Sequence, residues 1–148
     1  MGQVIEQEVA LRLLQALCFV WMGLVAGISF LEAPVKFTAP SVTRAIGLDV
    51  GRHVFFVLTR VELGLATGAL GLYLLGRPGT ALCWTAGGVG VILLVQTTWL
   101  LPVLRTQAAA IISGELEHAS EYVHVGYISL EILKLVGLGV IGWKAFPA

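Results

Sequence analysis

The chain of 148 residues is 57% hydrophobic and 12% charged, and therefore carries about half the charge of a typical soluble domain. Its mean hydropathy of +0.91 and its long apolar runs predict a polytopic membrane protein and argue against a soluble core. Because the formal net charge is zero, nothing in the composition indicates a nucleic-acid partner. The length predicts one domain, residues 1–148.

The apolar runs predict an all-α integral membrane bundle of four transmembrane helices. Each run has about 20 residues, the length at which a helix crosses the hydrocarbon core of a bilayer. Proline and glycine punctuate the connections, most clearly at Gly76-Arg77-Pro78-Gly79. In chain order, the predicted spans are residues 11–31, 54–75, 81–101 and 122–143.

The connection between the first two spans, residues 33–53, mixes apolar and charged residues. Pro40 followed by Ser41 can begin a helix, because proline suits a first helical turn. An amphipathic segment of this kind typically lies at the membrane surface. We therefore expect an interfacial helix in this connection.

Glycines four residues apart occur in the first two spans. The pairs are Gly23 with Gly27 and Gly64 with Gly68. This GxxxG spacing lets a second helix approach closely. It predicts close helix packing, within the chain or against partner helices.

The second and fourth spans contain charged residues that are costly in a bilayer. Arg60 and Glu62 lie in one span, and Glu131 and Lys134 in the other. A charge at the centre of a spanning helix costs about 2.5–3.5 kcal/mol on insertion scales, so such groups usually face the protein interior and find partners. From their similar depth we predict two ion pairs, Glu62 with Lys134 and Arg60 with Glu131.

All of the costly polar residues are predicted to lie in one half of the bundle. Four spans with short links alternate in direction, so the first and third connections share one membrane surface, which we call side B. The opposite half of each span is apolar and rich in glycine. The sequence therefore predicts a polar pocket that opens to side B. Its predicted residues are Glu32, Arg60, Glu62, Gln96, His124, Glu131 and Lys134.

Two interpretations of this pocket stay open. Its charges can be structural ion pairs that fix the register of the helices. Alternatively, they can form a ligand, ion or proton site, which is the default interpretation of ionisable residues inside a membrane.

The histidines give a weak indication of metal chemistry. Two Glu-x-x-His spacings occur within residues 115–124, and these cannot face each other across a bundle as they do in di-iron proteins. The second spacing could combine with carboxylates of the spans. Candidate metal ligands are Glu62, Glu121, His124 and Glu131. We predict no cofactor, with a metal ion as the alternative.

The arrangement resembles the Transmembrane protein 205-like family of small four-span membrane proteins. One part of the likeness is a first span that ends in Phe30-Leu31-Glu32-Ala33-Pro34, with Phe37 following. The other is a third span that ends in Trp99-Leu100-Leu101-Pro102, with His124-x-Gly126-x-x-Ser129 opening the last span. This resemblance implies a fold and no particular activity.

The leading functional hypothesis is a non-enzymatic integral membrane protein that acts as a binding or accessory component through the side-B pocket. One alternative is a membrane-embedded, metal-dependent oxidoreductase that uses Glu62, His124 and Glu131. A second is a proton-coupled carrier of a small solute. We expect the lipid bilayer as a partner, and either a homo-oligomer or a larger membrane complex. The expected location is the bacterial inner membrane.

Overall fold

A computed structural model describes residues 2–77 and 79–145 of the chain, with only the backbone described at residues 80 and 81. The described residues form four long helices and no strand. All four are long and apolar enough to cross a membrane, which confirms the predicted all-α bundle. The helices are α1 (Gly2–Thr38), α2 (Arg44–Gly76), α3 (Thr80–Val95, Gln96–Leu100 and Leu101–Ile112 in succession) and α4 (Glu121–Lys144).

The outer surface of the bundle is apolar along every helix. Large hydrophobic side chains point away from the protein on each of the four. Examples, one from each helix in chain order, are Val20, Leu74, Val91 and Val136, each at least 59% exposed. Lipid tails solvate such a surface and water does not, so the protein is a multi-pass membrane protein.

The first connection differs from the prediction. The separate interfacial helix is not formed, because α1 continues to Thr38 and α2 begins at Arg44. Thr43 caps α2 by accepting a hydrogen bond from the backbone N–H of Ile46 at 3.3 Å. Residues 44–53 thus form the first turns of α2, which continues without a break into the predicted span.

Two wide helical turns interrupt α1 and α3 at corresponding places. Ala26–Glu32 and Gln96–Leu100 are π-helical, and each is followed within two residues by a proline, Pro34 or Pro102. A proline in a helix removes one N–H donor, and its ring clashes with the carbonyl four residues earlier. A wider turn before the proline moves that carbonyl aside, so the helix continues through the proline.

Among the described residues, one of the four GxxxG glycines lies against another helix: a Cβ atom added at Gly68 would be 3.4 Å from Cδ1 of Leu17 on α1. A Cβ atom added at Gly23, Gly27 or Gly64 would have no atom within 4 Å, so these three glycines show no close packing inside the described bundle, and packing against partner helices stays a prediction. A closer approach lies elsewhere. A Cβ atom at Gly137 of α4 would lie 2.6 Å from Cγ2 of Val89 on α3.

The helices form a ring in which α1 packs against α2 and α4, and α4 packs against the first part of α3. The ring closes on side B, where Leu101–Ile112 packs against α2. The hydrophobic core fills the opposite half, which we call side A. Its buried residues are Leu14, Cys18, Trp21, Val25, Leu82, Val89, Leu93, Leu138, Ile141 and Ala145.

Candidate functional site

A fully buried ammonium group lies between the four helices. Lys134 Nζ lies 2.5 Å from Glu62 Oε1, 3.0 Å from Gln96 Oε1 and 3.2 Å from Glu131 Oε1. Lys134 and Glu131 are 0% exposed and Glu62 is 1% exposed. An ammonium has three N–H donors. All three have partners here, so the lysine is satisfied without solvent.

Two further hydrogen bonds complete this group. Trp21 Nε1 on α1 donates to Glu62 Oε1 at 2.9 Å. Gln96 Nε2 on α3 donates to Glu131 Oε1 at 3.3 Å. We call these five residues, Trp21, Glu62, Gln96, Glu131 and Lys134, the ionic cluster. Every helix contributes to it, so the cluster links the whole bundle.

The irregular turn of α3 helps to position the cluster. Gln96 is the first residue of the wide turn Gln96–Leu100 and is 3% exposed. In the same turn, Thr97 and Thr98 donate their hydroxyl protons to the carbonyls of Leu93 and Leu94, four residues earlier. Such bonds satisfy carbonyls that lose regular partners where a helix widens. The amide of Gln96 faces α4, where it bonds to Glu131 and Lys134.

A cavity of about 490 Å³ lies on side B of the ionic cluster. All four helices contribute to its walls, which are mostly apolar. Glu131 lines it, as do Tyr127, one helical turn earlier, and His124. We call this space the side-B cavity. It lies where the sequence predicts a pocket, and its volume falls within the usual range for small-molecule sites, about 300–1,000 Å³.

Two buried polar atoms beside this cavity have no hydrogen-bond partner among the described residues. They are Oε2 of Glu131 and Oγ of Ser29. The hydroxyl of Tyr127 interacts with the Glu131 carboxylate, but Oε2 of Glu131 has no partner at hydrogen-bond geometry among the described residues. Buried polar atoms are normally paired. The free oxygen of Glu131 therefore marks a point at which a hydrogen-bond donor would be stabilised.

A second cavity, of about 470 Å³, lies towards side A. It is lined by α2 and α3, where these helices are not packed together, and by parts of α1 and α4. Trp21 of the ionic cluster lines it, together with apolar residues such as Leu93 and Leu138. We call this space the side-A cavity. The ionic cluster thus lies between two cavities.

One predicted ion pair is confirmed and the other is wrong. Glu62 pairs with Lys134 as expected from depth. Glu131 pairs with Lys134 and Gln96, and not with Arg60. Arg60 lies on the exposed face of α2, and its guanidinium carbon is 4.3 Å from the centre of the Phe56 ring. The rise per residue predicts how deep each residue lies in the membrane, but it does not predict which face of the helix the residue occupies.

The remaining predicted pocket residues lie nearer the side-B surface. Glu32 pairs with Lys36 at 3.3 Å, and Lys36 lines the side-B cavity. His124 lines the cavity too and is exposed. The structure therefore brings Glu62, Gln96, Glu131 and Lys134 together and leaves Glu32 and His124 away from them.

Trp21 and Tyr127 are parts of the site that the sequence analysis did not identify. Trp21 lies in the middle of the first helix, far from the interfacial positions that tryptophan prefers. A buried indole usually finds an acceptor for its N–H. A tryptophan at mid-span was therefore a usable signal for a polar partner on another helix.

The four candidate metal ligands do not come together. Among the described residues, no group of three or more His, Cys, Asp and Glu side chains is placed to hold a metal ion. Glu62 and Glu131 both face the ammonium of Lys134, while Glu121 and His124 lie at the start of α4. The metal-dependent oxidoreductase stays a prediction.

Comparison of the chain with models of protein families, with curated proteins and with solved structures found no match. The resemblance to the Transmembrane protein 205-like family therefore stays a prediction. The geometry and composition show a multi-pass membrane protein with a buried ionic cluster between two cavities.

Proposed function

We propose that the protein is a non-enzymatic membrane protein that binds an amphipathic small molecule in the side-B cavity. The observation that carries this proposal is the buried Oε2 of Glu131, which has no partner among the described residues and lies beside a cavity of about 490 Å³. A ligand that donates a hydrogen bond to this oxygen would satisfy it.

The charges of the cluster favour a cationic ligand group. Two carboxylates, Glu62 and Glu131, share the single ammonium of Lys134. With both carboxylates ionised, the cluster has one negative charge in excess. Uncompensated charge is expensive in a buried site. An amine or another positively charged donor at Glu131 would offset it, and the apolar part of the walls would hold the rest of the molecule. Three basic side chains also line the cavity, so the amine would bind at the Glu131 end, away from Lys36, Arg52 and Arg105.

The side-A cavity favours a carrier as the second candidate function. It lies on the opposite side of the ionic cluster from the side-B cavity. A closed polar layer between two cavities is the arrangement that alternating access requires, with the substrate site near the middle of the membrane. In a carrier, the ligand of Glu131 would pass the layer when the cluster rearranges.

The binding test uses 1,8-diaminooctane that carries a dansyl group on one nitrogen and keeps the other as a free ammonium. Its uncharged analogue has a methyl ester in place of that ammonium, and each probe is titrated into the purified protein in mild detergent. We expect the amine to bind at least tenfold more tightly than the ester, because hydrogen bonds to charged groups contribute about 1.5–3 kcal/mol. Glu131→Gln should remove this preference. Glu115→Gln, a matched change in the exposed connection, should leave it intact.

A second variant tests the cavity independently, in case Glu131→Gln misfolds. Ala108→Leu adds volume at the wall of the side-B cavity without touching the ionic cluster, and it should weaken binding of both probes. Equal affinity for amine and ester, or an unchanged preference in Glu131→Gln, would overturn the proposal. For the carrier, uptake of the amine into proteoliposomes should stop in Glu62→Gln while binding persists.

A further inference from the structure

Two arginines from different helices stack on one aromatic ring outside the ionic cluster. The guanidinium carbon of Arg60 lies 4.3 Å from the centre of the Phe56 ring, and that of Arg105 lies 4.8 Å from the same point. The two cations are therefore at most about 9 Å apart, the sum of these distances. Phe56 and Arg60 belong to α2, and Arg105 belongs to the part of α3 that packs on α2.

Arg60 projects from an apolar, lipid-facing surface. Its neighbours Val57, Val61 and Leu63 are all exposed. Phe56 lies one helical turn nearer to side B, so the stacking shows that the Arg60 side chain bends back towards the side-B surface. This is the conformation by which a long cationic side chain reaches the headgroup level of a bilayer.

Arg60 and Arg105 differ from the other cations of the side-B half in their partners. Lys36 pairs with Glu32 and Arg52 with Asp49, while Arg44 donates to the backbone carbonyl of Glu117. Arg60 and Arg105 have no carboxylate within ion-pair distance in the part of the chain that the structure describes. Two adjacent positive charges are therefore left for an external anion, Arg60 on the lipid-facing surface of α2 and Arg105 exposed beside it, where Arg105 also lines the side-B cavity.

We infer that Arg60, Phe56 and Arg105 form a binding site for the phosphate of an anionic phospholipid. Guanidinium groups bind phosphate oxygens in a bidentate manner, and Phe56 holds both groups in place by cation–π contact. Basic residues between transmembrane helices at the headgroup level are a recognised setting for anionic lipids. The acyl chains of the lipid would lie on the exposed apolar surface around Val57 and Val61.

The site is tested by native mass spectrometry of the full chain in detergent, titrated with phosphatidylglycerol or phosphatidylcholine. We expect one phosphatidylglycerol to be retained more tightly than phosphatidylcholine. Each arginine near the surface should contribute about fivefold, so Arg60→Gln with Arg105→Gln should weaken retention roughly 30-fold. Removing two charges from the side-A half, with Arg12→Gln and Lys144→Gln, should have no effect.

Two further arms make the assignment specific. Arg60→Lys with Arg105→Lys preserves both charges but loses the bidentate geometry of the guanidinium groups. Its retention of phosphatidylglycerol should therefore lie between that of the wild type and that of the glutamine variant. Inorganic phosphate at millimolar concentration should not displace the lipid, because it lacks the acyl chains. Unchanged retention in the glutamine variant, an equal loss in the side-A control, or displacement by inorganic phosphate would each overturn the inference.

Discussion

Replacing Lys134 by methionine tests whether the ionic cluster holds the bundle together. The change keeps most of the side-chain volume and removes an ammonium that contacts Glu62, Gln96 and Glu131 at 2.5–3.2 Å. Intramembrane polar contacts average about 0.6 kcal/mol each, so losing three contacts costs about 2 kcal/mol. Breaking a buried ion pair leaves uncompensated charge and costs about 3–5 kcal/mol. We therefore expect a loss of about 2–5 kcal/mol in the free energy of unfolding.

The assay is reversible unfolding by sodium dodecyl sulfate in mixed micelles, followed by circular dichroism. Arg12→Met is the matched control, because its pair with Glu8 is exposed and should contribute less than about 1 kcal/mol. A double-mutant cycle with Glu62→Gln should give a coupling energy of about 1–3 kcal/mol. A Lys134→Met loss equal to that of the control, or strictly additive effects in the cycle, would refute the reasoning.

Two further predictions concern packing around the cluster, with unfolding free energy as the measurement for both. Trp21→Phe removes the indole donor and should cost about 1–3 kcal/mol. The same change at Trp84, which is 84% exposed, should be neutral. Equal effects at both positions would contradict the role of the indole hydrogen bond. Gly137→Ala places a Cβ atom 2.6 Å from Val89 and should cost about 1–3 kcal/mol. Gly23→Ala has open space and should be neutral or slightly stabilising, so a larger loss there would contradict the packing described for these helices.

The helices themselves followed from hydropathy, because the cost of exposing backbone polar groups in lipid leaves few alternatives to a helix. The level of each polar residue followed from the rise per residue, and this was sufficient to predict the pair of Glu62 with Lys134. The error at Arg60 has the same origin. Level does not specify the direction of a side chain around the helix axis, and Arg60 points outwards to Phe56.

Other features depend on how helices pack, which a hydropathy profile does not contain. The GxxxG spacing is compatible with close approach, but whether a partner lies against Gly23 is decided by the rotation of α1. The side-A cavity arises because α2 packs only on the Leu101–Ile112 part of α3. The wide turns had a local signal in Pro34 and Pro102, since a proline inside an apolar run demands some distortion of the helix.

The number of residues in each wide turn also determines in which direction the side chains on either side of it point in α1 and α3. A π-helical stretch accommodates one residue more than an α-helical stretch that joins the same two flanking faces. A one-residue deletion within Ala26–Glu32 would therefore leave residues on both sides facing the same neighbours once the turn became α-helical. The same deletion in the regular helix Gly2–Val25 would rotate everything on one side by about 100° and take Trp21 away from Glu62. Tolerance to length changes in α1 and α3 is thus concentrated in two short stretches beside their prolines.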